Sequence, residues 1–194
     1  MPTPALTFAP ELLLRAQGRS LGMKAALFDV DGVLTDGTLF IGAEGELMKP
    51  FSALDGHGLK MLKSGGIEPI VITGRDSAAV RRRVADLGLV HAVYGAANKL
   101  AAAESLLQGL RIEWPDVAAI GDDWPDLPLL ARAGFAAAPP NAHAEVRAAA
   151  HHVTGARGGR GAAREFCDLL LMANGRYARL LQEHGGSGVT LDAR

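Results

Sequence analysis

Five short apolar stretches, at residues 25–30, 67–72, 90–94, 117–120 and 135–138, alternate with segments of helical periodicity. Runs this short and this continuously apolar fit strands buried on both faces. Strands that alternate with helices form a parallel sheet covered on both sides, an α/β, doubly wound, Rossmann-like fold. In such a sheet ligands bind at the carboxyl ends of the strands. The polar residues of this chain collect at those ends.

The first stretch, Ala25-Ala26-Leu27-Phe28, runs into Asp29-Val30-Asp31-Gly32-Val33-Leu34-Thr35-Asp36. Carboxylates two residues apart on a strand project to the same side. Such a pair can hold a magnesium ion while offering one carboxylate as a nucleophile and the other as an acid or base. The second stretch ends in Thr73-Gly74-Arg75-Asp76, Lys99 opens a helix after the third, and Gly121-Asp122-Asp123 with Asp126 follows the fourth. A phosphate monoester requires this set of groups: a metal to offset the dianion, a nucleophile, a proton donor, and a hydroxyl and an ammonium for the phosphoryl oxygens. Taken singly, Thr73 would serve as a helix cap, Lys99 as a surface lysine and Asp122-Asp123 as a turn pair. Their order at consecutive strand ends favours one shared site.

The remaining pattern predicts a tail over residues 1–23 with a short helix near 10–17, one domain over 24–180, and a flexible, Gly-rich tail over 181–194. A hairpin is expected at about 37–51, with strands at 38–41 and 46–49 around a Gly-containing turn. Helices are expected at 56–64, 76–87, 99–108, 125–133, 141–150 and 162–173, with a Gly-rich loop at 155–161.

At 194 residues with 48% apolar content the chain can bury one substantial core. A formal net charge of −1 provides no broad basic face for nucleic acid or an anionic membrane. Arg81-Arg82-Arg83 reads as a solvated helix face, and the single cysteine, Cys167, as part of a core helix. No stretch approaches the ~20 apolar residues of a membrane span, so a cytoplasmic protein is expected.

In this order, DVDG, ITGR, a later Lys and GDDxxD resemble the haloacid dehalogenase superfamily of phosphatases. More narrowly, FDVDGVLTDG, LDGHGLKMLK, ITGR, NKL, GDDWPDLPLL and GGRGAAREFCDLLL resemble the 3-deoxy-D-manno-octulosonate 8-phosphate (Kdo-8-phosphate) phosphatase family, over about residues 22–180. The resemblance implies Mg²⁺-dependent release of Kdo and phosphate through an aspartyl-phosphate, in lipopolysaccharide inner-core synthesis. It implies Asp29 as nucleophile and Asp31 as acid and base. It further implies Thr73 and Lys99 on the phosphoryl group, and Asp29, Asp122 and the Asp31 carbonyl as metal ligands. Gly32, Gly74, Asp123 and Asp126 would support them.

The spacing from Asp31 to Thr73 holds a hairpin, a helix and a strand, which leaves the domain capless. Relatives imply a homotetramer built around the hairpin, with a neighbour's C-terminal segment closing the site. Residues 155–164 suit that role, with Arg157 or Arg160 meeting a substrate carboxylate. Arg75, Asp55 and His57 are further candidates for substrate contact, His57 also as a structural residue; His151-His152 is expected at the surface or half-buried. Exposed Phe40, Ile41, Leu47 and Met48 on the hairpin would independently favour assembly.

Competing readings are a nine-carbon keto-sugar acid 9-phosphate as substrate, a phospho-aspartate signalling receiver, and a non-catalytic oligomerisation domain. Asp31, two residues past the first carboxylate, argues against a receiver. Filled catalytic positions argue against the last.

Overall fold

The computed structural model describes residues 4–18 and 22–185. After a short helix α1 (Pro10–Arg15), strand β1 (Ala25–Phe28) starts the domain, and a hairpin follows from β2 (Phe40–Gly42) and β3 (Gly45–Met48). Helix α2 (Ala53–Ser64), β4 (Glu68–Ile72), α3 (Ala78–Asp86), β5 (His91–Val93), α4 (Lys99–Leu110), β6 (Val117–Ile120) and α5 (Leu127–Arg132) come next. The chain then forms β7 (Phe135–Ala138), α6 (Ala144–Ala149), β8 (His152–Val153), α7 (Ala162–Ala173) and α8 (Tyr177–Gly185).

Six strands pair in the order β5-β4-β1-β6-β7-β8, all parallel, while β2 and β3 form a separate antiparallel ribbon. The strand order reverses between β1 and β6, where a doubly wound sheet opens its ligand crevice. The sheet is buried on both faces. Ala26 and Phe28 of β1 pack with α2, α3 and α7, through Leu59, Leu62, Val80 and Phe166. Ala25 and Leu27 point the other way, toward Ala103 and Leu107 of α4 and Leu129 and Leu130 of α5. This alternation is what a continuously apolar run encodes when both faces are covered. Between β1 and β4 the chain inserts only the hairpin and α2; no helical cap stands there among the described residues.

Three expectations are corrected. The first strand stops at Phe28 and not at residue 30, because the chain turns at once into an irregular wide turn over 30–34. That turn is closed by the Thr35 N–H donating to the Val30 carbonyl at 3.0 Å, with Gly32 at φ 95°. The flexible tail does not begin at 181, since α8 continues to Gly185 with Leu180 buried against the core; residues 186–194 lie outside the described residues. The three arginines are not uniformly solvated. Arg81 and Arg82 pair with Asp76 and Asp86, whereas Arg83 reaches inward to the Ser52 carbonyl at 3.0 Å. Strand β8, too short to show periodicity, adds a sixth strand at the sheet edge.

Candidate active site

Asp29 follows β1 in extended conformation (φ −74°, ψ 168°) and thus continues the face that carries Ala25 and Leu27. Helix α4 packs on that face, and its first residue is Lys99. The Lys99 ammonium, itself buried, donates to Asp29 Oδ1 at 2.7 Å and to Asp126 Oδ1 at 2.7 Å. Burial works against the lysine's charge, but Asp29 and Asp126 outweigh it and raise its pKa.

Asp126 is buried in the helical turn before α5. Its Oδ2 accepts the backbone amides of Asp122 at 3.1 Å and Asp123 at 3.4 Å. Both of its oxygens are therefore occupied. Asp123 is exposed and caps the same turn through the Trp124 amide at 2.8 Å. Gly121 has no room for a side chain, since a Cβ there would stand 2.3 Å from the Asp126 Cβ. The GDDxxD spacing thus folds into a cap that fixes Asp122 over the end of β6.

Asp122 has an oxygen to spare. Its Oδ1 is buried and has no hydrogen-bond partner among the described residues. Burial, then the neighbouring charge of Asp29, pushes its carboxyl up to about 8. Burial and the charge of Asp126 raise Asp29 to about 6, against the pull of Lys99. One carboxylate oxygen from each of Asp29, Asp122 and Asp126 lies within 4.8 Å of the others. Three crowded carboxylates served by one ammonium, with one oxygen unpartnered, are a donor set suited to a hard divalent cation. Magnesium fits this site, with Asp29 and Asp122 as the residues free to hold it.

Asp31 lies past the strand, so the turn and not strand alternation sets its direction. Its carboxylate contacts the Lys49 ammonium through Oδ1 and approaches Arg75 Nε at 4.0 Å through Oδ2. Thr73 is buried at the end of β4, next to β1 in the sheet, and its hydroxyl accepts the Arg75 amide at 3.3 Å. It caps a local turn; α3 begins later, after Ser77. Gly74 sits exposed between them.

The Gly-rich loop folds back on its own chain. The Gly159 amide donates to the Val33 carbonyl at 2.8 Å, and Asn141 bridges the Gly158 amide (2.7 Å) to the Gly32 carbonyl (3.1 Å). A Cβ on Gly158 would sit 1.7 Å from the Gly32 oxygen, so this approach demands glycine. Arg157 and Arg160 are exposed on the loop; Arg160 lies 3.8 Å from Asp36, and a cleft of about 320 Å³ opens between Asp36, Phe51, Ser52 and Arg160.

Two other candidates stand apart from the acidic centre. Asp55 is buried and accepts the Arg164 amide at 2.8 Å and the Gly161 amide at 3.2 Å, capping α7 from α2. His57 is exposed and meets the His184 ring edge-on at 5.5 Å, its pKa lowered by burial and by Arg164. His151 and His152 are half-buried, and His152 lies 3.2 Å from Glu165.

Sequence reasoning passed over Lys49, Glu46 and Asn141, which converge on the Asp31–Gly32 turn. The signal for Lys49 was a lone cation in a hairpin whose other side chains were read for assembly.

A parallel sheet with acidic groups at the β1/β6 reversal, a threonine on β4 and a lysine on α4 defines a haloacid dehalogenase-like hydrolase. Residues 93–165 match that family independently. The chain is 40% identical over 168 residues to the Kdo-8-phosphate phosphatase KdsC of Salmonella typhimurium, covering 87% of each chain. It superposes on a probable YrbI-family phosphatase from Pseudomonas syringae with TM-score 0.87 at 42% identity, over 92% of this chain and 99% of that one. The Kdo-8-phosphate phosphatase of Moraxella catarrhalis, solved with magnesium, phosphate and Kdo, matches with TM-score 0.83 at 40% identity, over 88% and 96%. The chain belongs to the Kdo-8-phosphate phosphatase family.

Proposed function

We propose that this enzyme hydrolyses Kdo-8-phosphate to Kdo and inorganic phosphate, with Mg²⁺, in the cytoplasm. The observation that carries the reading is Asp29, buried yet tied to Lys99 at 2.7 Å, beside an Asp122 whose inner oxygen has no partner among the described residues. Asp29, Asp122 and the Asp31 carbonyl would hold the metal. When bound, Mg²⁺ offsets the phosphate dianion's charge, which otherwise repels a carboxylate nucleophile.

The chemistry then falls to the chain's own groups. An Asp29 oxygen attacks phosphorus, the bond from phosphorus to the sugar oxygen breaks, and the Asp31 carboxyl gives its proton to that oxygen. Water then attacks the aspartyl-phosphate phosphorus, its proton passes to Asp31, and the phosphorus–Asp29 bond breaks to release phosphate. Lys99 balances the charge on Asp29 and the phosphoryl oxygens, and the Thr73 hydroxyl donates to one of them. Asp126 holds Lys99 and the Asp122 backbone in place, as Asp123, Gly32 and Gly74 shape the turns around them. Arg75, with Arg160 at the cleft, Arg157 on the same loop and His57 further out, is suited to an anionic sugar.

The apolar hairpin surface supports a homotetramer. Phe40, Ile41, Leu47 and Met48 are 40, 58, 70 and 56% exposed. A neighbour's C-terminal segment would close the capless site and exclude water.

The test is phosphate release from Kdo-8-phosphate, nine-carbon keto-acid 9-phosphates, hexose phosphates and phosphoserine, each with Mg²⁺ and with EDTA. A Mg²⁺-dependent preference for Kdo-8-phosphate of about a hundredfold or more, roughly 2.7 kcal/mol, is expected. A peak on a nine-carbon substrate would keep the chemistry and change the sugar. No release from any ester would overturn the reading.

A further inference from the structure

The hairpin delivers a buried cation to Asp31. Lys49, the residue after β3, is 7% exposed, and its ammonium contacts Asp31 Oδ1 and lies 3.3 Å from Glu46 Oε2. Glu46 is held in turn by the Ser77 hydroxyl, from the turn that leads into α3. A chain of contacts therefore runs from Ser77 through Glu46 and Lys49 to Asp31. The side chain of Asp31 keeps 21% exposure, with Oδ2 directed toward Arg75 at 4.0 Å.

Burying an ammonium is costly, and a buried ion pair is often no more stabilising than apolar residues of the same size. Anchoring the hairpin would be served as well by a leucine. A lysine here does what a leucine cannot: it grips one oxygen of Asp31 and leaves the other on the side of Arg75. A carboxyl group free to rotate about its last bond would present either oxygen at either angle. Proton transfer needs one oxygen within hydrogen-bond reach of the leaving atom.

We propose that Lys49 is the positioning residue for Asp31, fixing its carboxyl group so that Oδ2 is the oxygen exchanging the proton, and that Glu46 and Ser77 hold Lys49 there. This rests on the phosphatase reading above. Lys49 does not touch the reacting atoms; it acts through Asp31.

The test compares two esters with Mg²⁺ present. Kdo-8-phosphate leaves as an alkoxide and needs a proton, whereas 4-nitrophenyl phosphate leaves as a stabilised phenolate and needs little help. In Lys49→Met, kcat on Kdo-8-phosphate is expected to fall about a hundredfold, the scale of a general acid's contribution. On 4-nitrophenyl phosphate the first-turnover release of nitrophenolate should slow less than about fivefold, because it reports formation of the aspartyl-phosphate and not its hydrolysis by the water that Asp31 also serves. First-turnover release of Kdo should slow about a hundredfold, with KM for both esters within about threefold and Lys49→Arg restoring part of the loss. Glu46→Gln, which keeps the ammonium but loosens its hold, should show the same split at about tenfold; it decides the matter where Lys49→Met fails to fold. Equal losses in the first-turnover rates of both esters, no loss, or a rise in KM alone would overturn the role of Lys49 while leaving the phosphatase intact. A wild-type protein inactive on both esters would overturn the phosphatase reading, and this proposal with it.

Discussion

Gly32 and Asp122 occupy each other's space: a Cβ built on Gly32 would lie 2.0 Å from Asp122 Oδ2. The two residues are ninety positions apart, yet the carboxylate at the end of β6 fits only because the turn after β1 lacks a side chain there. Gly32 also takes φ 95°, where an L-residue is strained by roughly 1–2 kcal/mol. Gly32→Ala should therefore lower Tm by about 2–8 °C and kcat/KM by about a hundredfold or more, since the displaced carboxylate is misplaced by an ångström or more. Thermal melts beside steady-state kinetics check this. An alanine variant with wild-type turnover would show that Asp122 is not needed where it stands.

The metal-free protein should lose stability as pH rises, the reverse of the usual carboxylate behaviour. Asp122 holds its proton to about 8 in the folded chain, against an ordinary value of 3.8, through burial and the charge of Asp29; Asp29 itself is raised to about 6. The folded state thus binds more protons than the unfolded state between those values, and stability falls with pH across that window. His57 and His151, both lowered by burial, act below 6.5 with the opposite sign. Melting in EDTA between about pH 6.8 and 8 isolates Asp122, with an expected fall of roughly 3–5 °C per pH unit that levels off above about 8. Saturating Mg²⁺ should remove most of that slope, and the Mg²⁺ dissociation constant should drop as pH rises, because binding displaces the proton. Asp29→Asn should abolish turnover and, by removing the charge beside Asp122, flatten the EDTA slope. A flat slope in the parent protein would contradict the raised Asp122 value.

The strands were legible because the central ones are apolar on both faces, so no amphipathic ambiguity arises. The catalytic candidates were legible because the doubly wound sheet gathers residues that follow consecutive strands, as Asp29, Thr73 and Asp122 do. What lay outside the sequence pattern is non-local. Lys49 reads as a hairpin surface charge until the ribbon folds over the turn at 30–34 and buries it against Asp31. Asp55, read from the sequence as a candidate for substrate contact, is instead taken up by the amides of Gly161 and Arg164, which α7 brings to it from more than a hundred residues on. Helix α8 was hidden by the glycines around it, Gly175 before and Gly185-Gly186 after, which look like loop composition although Leu180 packs into the core.

Leu47→Glu on the hairpin should break the assembly. Leu47 is 70% exposed in the single chain, and burying such a side chain is worth about 1.5–3 kcal/mol, which a carboxylate would forfeit and reverse. Sedimentation of the wild-type protein is expected to give a tetramer, and the variant a smaller species with a lower Tm and a higher KM. A wild-type monomer at micromolar concentration would end the proposal of a hairpin-centred tetramer.

Asp55 separates a structural role from a substrate-binding one. Its two carboxylate oxygens accept the Arg164 amide at 2.8 Å and the Gly161 amide at 3.2 Å, and α7 has no side-chain cap of its own. Helix α7 carries Phe166, Leu169 and Leu170 into the core, so this cap ties α2 to the element that closes one face of the sheet. Removing it strands two inward-facing amides, each costing about 1–3 kcal/mol when left without a partner. Asp55→Ala should lower Tm by roughly 5–10 °C, and KM at a temperature well below the melt should stay within about threefold of wild type. Asp55→Asn, which keeps one accepting oxygen, should fall between the two in stability. A variant with unchanged Tm and a sharply raised KM would instead put Asp55 in contact with the sugar. The same reasoning limits truncation experiments: removal of residues 155–194 would take α7 out of the core, so a test of closure by the C-terminal segment has to cut after Gly185.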